Sequence, residues 1–195
     1  MGRLASLAPT FTADEARRAG VHPRELYGWR DAGQTVELSR GVFRHADAPT
    51  PTYPDLLAVA HRAPVAVVCL VSAASVWDLT DEMPSVVHVA VPRGTRPPQI
   101  TVPPVVVSRF EPATFALGLS HIDAALGEPV RIYSPTRTVI DLMRLRHRIG
   151  EPLALAALRR YLATPDARRG ELVEMARALG VLGPVRSALD ILEAA

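Results

Sequence analysis

The chain has 195 residues, 48% of them hydrophobic, with 22 basic against 20 acidic side chains and a single cysteine. These numbers exclude a disordered chain, a disulfide-stapled scaffold and a polybasic tail, and they leave room for one small and one ordinary domain. Every basic residue is arginine and asparagine is absent. We read that bias as codon usage in a GC-rich genome, a hint of a bacterial source, rather than as selection for bidentate contacts.

The first elements are written in local signals. Thr12-Ala-Asp-Glu15 is a capping box, in which a hydroxyl and a carboxylate satisfy each other's early backbone N–H groups. Gly20 suits the left-handed position that ends a helix, Val21 fills the turn, and Pro23 opens a second helix where no N–H is needed. Gly33 closes that helix; Thr35–Leu38, the turn Ser39-Arg-Gly41 and Val42–Arg44 then read as strand, turn, strand. Helix, turn, helix, hairpin is the order of a winged helix-turn-helix. Its second helix would present Arg24, Tyr27 and Arg30, its wing Arg40 and Arg44, and its first helix Arg17 and Arg18 toward the backbone of double-stranded DNA. A use in protein contacts, with solvated arginines, is the alternative reading.

Ala48-Pro-Thr-Pro-Thr-Tyr53 reads as a linker, because its prolines resist helix and sheet. Beyond it the pattern predicts a helix over 54–62, an apolar strand over 65–70, a helix over 72–79 with Ser72 as cap, and strands over 86–91 and 105–110. Two further strands near 117–122 and 130–133 turn at Gly127, and a helix from Ser134-Pro135 runs to about His147. Leu155, Leu158 and Leu162, then Leu172, Met175 and Leu179, then Val185, Leu189 and Leu192 repeat at helical spacing. The expected fold class is α+β: a winged helix-turn-helix domain over 1–48, then a mixed α/β domain over 49–195 that ends in helices.

Enzyme signatures are missing. There is no nucleophile elbow and no P-loop, and the six histidines form no paired metal motif. A nuclease built on an acidic pair and a lysine would lack its lysine. No catalytic residue, metal or cofactor is therefore expected. Asp81 and Glu82 read as turn residues before Pro84, His88 as a core histidine, and Cys69, inside an apolar run, as a buried small hydrophobe. With no apolar run near the roughly 18 residues of a membrane span, no signal-peptide core and no possible intramolecular disulfide, a cytoplasmic protein is expected.

Two basic segments remain. Val91-Pro-Arg-Gly-Thr-Arg-Pro-Pro98 carries Arg93 and Arg96 on a loop that either binds phosphate or an acidic partner or is simply solvated. Arg137, Asp141, Arg144 and Arg148 fall on one helical stripe, a charged face exposed to solvent or to a partner.

Four segments together resemble the AbiEi family of antitoxins from bacterial abortive-infection systems. They are Ala19-Gly-Val21 with the helix after it, Leu38–Arg44, Val87–Pro97 and Tyr133–Asp141. The resemblance implies a winged helix that represses its own operon at operator DNA, and a second domain that counteracts a nucleotidyltransferase toxin, with Arg93, Arg96, Arg137 and Asp141 on the antitoxin surface. A winged-helix transcription factor whose second domain senses a ligand is the alternative.

Overall fold

In the computed structural model, which describes residues 2–194, the capping box forms. Thr12 Oγ1 accepts from the Glu15 N–H at 3.2 Å, and Glu15 Oε2 accepts from the Thr12 N–H at 2.6 Å. Burial pushes the Glu15 carboxyl up, but the Thr12 backbone and hydroxyl hydrogen bonds, with the charges of His61 and Arg18, outweigh it and hold the pKa below 4.5. The chain is mixed α+β, with ten α-helices and two sheets among the described residues. It divides into two units: 1–65 with 98–105 and 122–130, and 66–97 with 106–121 and 131–195.

In the first unit, α1 (Ala13–Arg18) and α2 (Pro23–Asp31) are joined through Gly20 at φ +81°. The hairpin β2 (Thr35–Ser39) and β3 (Val42–His45) follows. A short strand that the sequence pattern did not predict, β1 (Thr10–Thr12), pairs antiparallel with β3, so β3 is the central strand of three. Phe11, Ala16, Val21, Leu26 and Phe43 form the small core. The next helix, α3 (Pro54–Arg62), packs on all three strands with Leu56–Val59 buried. The first unit therefore runs past the boundary expected at residue 48.

The second unit departs from the sequence reading at its start. The apolar run 65–70 pairs only over β4 (Val67–Val68); Leu70 takes φ +50° and begins α4 (Leu70–Val76). Ser72 is not the cap. Its hydroxyl accepts the His88 N–H at 2.9 Å and donates to the Val86 carbonyl at 3.4 Å, tying α4 to β5 (Val87–Pro92). Next in chain order come β6 (Val105–Phe110), the short α5 (Pro112–Phe115), β7 (Leu119–Ala125) and β8 (Glu128–Tyr133), of which residues 105, 122–125 and 128–130 fall in the first unit. The sheet order is β6-β5-β4-β8-β7, with β4 antiparallel to β5 and parallel to β8.

Ser134 caps α6 (Pro135–Arg144) by accepting the Arg137 N–H at 3.3 Å, and the single helix expected to His147 breaks at Leu145 into α6 and α7 (Arg146–Ile149). Then α8 (Glu151–Ala163), α9 (Arg169–Ala178) and α10 (Leu182–Ala194) complete the unit. α6 is central: α4, α8, α9 and α10 all pack on it, and Thr136–Met143 are buried. Each buried Leu, Ile, Val or Met side chain here contributes about 1.5–3 kcal/mol, enough to outweigh the cost of enclosing the polar residues among them only if those are paired.

Candidate nucleic-acid interface

The exposed face of α2 is built from its cap outward. His22 Nδ1 accepts the Arg24 N–H at 3.2 Å, so the helix begins with Arg24 exposed in its first turn. One turn on, Tyr27 is 40% exposed and lies edge-on to Phe43, with ring centroids 5.8 Å apart. The Arg30 guanidinium sits over that ring, 4.9 Å from its centroid. It also pairs with Asp31 at 2.9 Å and Glu37 at 3.2 Å, and these carboxylates hold it still more firmly charged. Arg30 is thus paired with two carboxylates and packed on the Tyr27 ring. Arg24 makes no ion pair among the described residues.

The hairpin tip is fixed from three directions. Glu37 Oε1 accepts the Gly41 N–H at 2.9 Å while its other oxygen holds Arg30. Gly41 stands at φ +76°, where a side chain would be strained, and its carbonyl accepts the Ala13 N–H at 2.9 Å. The Arg40 carbonyl accepts from Arg62. Arg40 itself is exposed at the tip with no ion pair among the described residues. On α1, Arg17 pairs with Asp14 at 2.6 Å, and Arg18 is exposed beside Glu15.

Arg44 is a correction. Expected on the wing surface, it is 4% exposed: Val42, Phe43 and Arg44 are all buried in succession, so β3 is covered on both faces. Its guanidinium reaches Thr10 Oγ1 and Glu128 Oε1, both at 2.5 Å, and the Pro49 carbonyl at 2.6 Å. It staples β1, β3, the 49–53 segment and residue 128 together and is out of reach of a duplex.

Arg137 and Asp141 are the second correction. Both are 0% exposed, so neither belongs to a surface. Arg137 Nε donates to Asp141 Oδ2 at 2.8 Å, and its Nη1 donates to the carbonyls of both Thr114 at 2.8 Å and Leu117 at 2.6 Å. Its plane lies 4.4 Å over the Tyr133 ring. Arg144 closes on the other oxygen of Asp141 at 2.8 Å. Burial pushes the Asp141 carboxyl up, opposed by the charges and hydrogen bonds of both arginines. Gly118, at φ +71°, completes the cage: a Cβ there would lie 2.6 Å from Arg137 Cβ. Arg93 and Arg96 do lie exposed on the loop after β5; Arg93 pairs with Glu111 at 3.1 Å, and Arg96 has no ion pair among the described residues.

Among the described residues no cluster of metal-ligating side chains occurs, and no helix is long and apolar enough to cross a membrane. Cys69 is buried, as expected, and burial pushes its thiol pKa up. No family model matches this sequence, and no curated protein matches it. A solved structure that is similar is the crystal structure of the RV2827C protein from Mycobacterium tuberculosis. The match covers 94% of this chain and 76% of that one, with a TM-score of 0.50 and 15% identity. At that identity the likeness concerns the fold alone.

Proposed function

We propose that the chain is a DNA-binding antitoxin of the AbiEi type. In this reading the first unit is a winged helix-turn-helix that represses its own operon, and the second counteracts a nucleotidyltransferase toxin. One observation carries the DNA reading: Arg24 and Arg40 are exposed and outside any described ion pair, on a helix and a hairpin tip that Glu37 ties together. Arg24 and Tyr27 read base edges, and Arg40 contacts phosphate or the minor groove. Arg17 and Arg18 flank the backbone, and Arg30 acts through Tyr27. Arg93 and Arg96 are what remains of the antitoxin surface.

The test is anisotropy of a labelled duplex from the chain's own upstream region against a scrambled duplex, over a salt series. Arg40→Ala weakens both duplexes and lowers the salt slope by about 1; Arg24→Ala loses mainly the discrimination between them. Equal affinity of native chain and both variants for both duplexes refutes the DNA reading. The antitoxin half is read separately, by growth of cells expressing the adjacent gene with or without this chain. A harmless neighbour, or no rescue, removes it.

A further inference from the structure

Beside α6 and α7, in the second unit alone, a cleft of about 270 Å³ is lined by Arg93, Arg144, Arg148, Ser108 and Glu111 among others. It adjoins a chamber of about 330 Å³, and the two share Ser108, Leu145 and Arg148. The chamber is otherwise apolar over much of its wall, through Leu70, Val71, Val86, Val106 and Ile149, and carries Glu82 on its rim.

Three features of the cleft point to an anion. Arg148 is exposed and in no ion pair among the described residues. The Arg137–Asp141–Arg144 group has two cations for one anion, and Arg144, its member on the cleft, is 24% exposed at the side chain. Ser108 lines both the cleft and the chamber, and its hydroxyl makes no hydrogen bond among the described residues, so it is free to donate to a bound group. A phosphate suits all three, since its oxygens accept from guanidinium and hydroxyl donors and its charge offsets the excess of arginine. Glu82 repels a second anion at the chamber end, and burial pushes the His88 pKa down, which disfavours a cation there. The chamber therefore suits the uncharged part of the same molecule.

We propose that this cleft and chamber bind a small phosphorylated organic molecule, its phosphate on Arg144, Arg148 and Ser108 and its apolar body in the chamber. This site is independent of the operator reading, because every residue in it belongs to the second unit.

The experiment is isothermal titration of the full chain with phenyl phosphate and with inorganic phosphate at low ionic strength. Phenyl phosphate binds more tightly than inorganic phosphate. Arg148→Ala and Ser108→Ala each weaken both, Arg148→Ala by about tenfold or more. Ser85→Phe, which fills the chamber from its exposed rim, weakens phenyl phosphate to the level of inorganic phosphate and leaves the latter unchanged. Arg24→Ala leaves both untouched, which separates failure here from failure of the DNA reading. No binding of either probe at millimolar concentration overturns the proposal, as does binding indifferent to Arg148→Ala. It also falls if Arg148→Ala weakens only a random duplex, for then the cleft serves a nucleic-acid backbone.

Discussion

Replacing Arg137 by methionine keeps much of the side-chain volume and removes only the charge and its donors. The loss is large because nothing can rehydrate. Asp141 and Arg137 are both 0% exposed, and the carboxylate would keep Arg144 alone. Removing one partner of a buried ion pair costs about 3–5 kcal/mol. The carbonyls of Thr114 and Leu117 lose their donor as well, but these losses share one side chain and do not add in full. We expect Arg137→Met to cost about 3–5 kcal/mol, a large part of the roughly 5–15 kcal/mol that holds a domain folded. The double variant Arg137→Met, Asp141→Leu should cost less than the single one, since it leaves no buried carboxylate short of a partner. Urea unfolding read by Trp77 measures this: its indole N–H donates to the Tyr133 carbonyl at 2.8 Å, directly behind the cage. Trp29→Phe silences the signal from the first unit. A cost for Arg137→Met below about 1 kcal/mol, the scale of an exposed pair, would refute the reasoning, as would a double variant less stable than the single one.

Gly118→Ala should destabilise the second unit by more than the roughly 1–3 kcal/mol of backbone strain at its φ, because the new Cβ meets Arg137 Cβ and cannot move aside; the same urea titration checks it. Arg44→Met should lower the stability of the first unit by about 1–3 kcal/mol, since Glu128 and the Pro49 carbonyl lose their partner, while duplex affinity per folded molecule stays unchanged. Normal thermal unfolding with lost affinity would return Arg44 to the interface. The Glu15 carboxyl titrates below its ordinary value when folded, so its contribution is complete above pH 4.5 and is lost as pH falls through the folded pKa. Glu15→Gln, which can still close the capping box, should make the acid limb of first-unit stability shallower below pH 4.5; identical acid limbs for the two chains would count against this.

Much of the first unit was readable from sequence because its signals are local. The capping box, Gly20, Pro23 and the Ser39–Gly41 turn each act within a few residues, and each lies where expected. What failed was non-local. β1 is three residues long and ends in the capping threonine, so it has no alternation of its own to read, and nothing in Val42-Phe-Arg44 announces either that extra strand, whose Thr10 holds Arg44, or the packing that buries both faces of β3. Arg44 was misplaced for that reason. Likewise the four-residue spacing of Arg137 and Asp141 announces a pair but not its depth. Only the packing of four helices on α6, with Phe110 and Tyr133 against the guanidinium, turns a charged stripe inward. The 65–70 run misled in the opposite sense: its apolar character reports burial faithfully, but burial does not distinguish a strand from the first turn of a covered helix. The exposure of Arg24, Tyr27 and Arg40 was readable because they are polar residues on locally defined elements; the place of Ser108 on a cavity wall was not, because an isolated serine in a valine-rich strand carries no signal until the strand has neighbours.

The cage around Arg137 also bears on how the second unit comes apart. Its guanidinium is gripped by the 114–117 carbonyls, by Asp141 on α6, and by rings from β6 and β8. Peeling any one of these segments away alone would strand a charge in a cavity still closed on its other sides. Small local openings are thereby made expensive, and concerted opening of all of them is the cheaper route. Backbone amides in residues 114–118, β8 and α6 should consequently exchange their hydrogens with solvent through a shared event, with one common opening free energy, rather than fraying in sequence from the nearest loop.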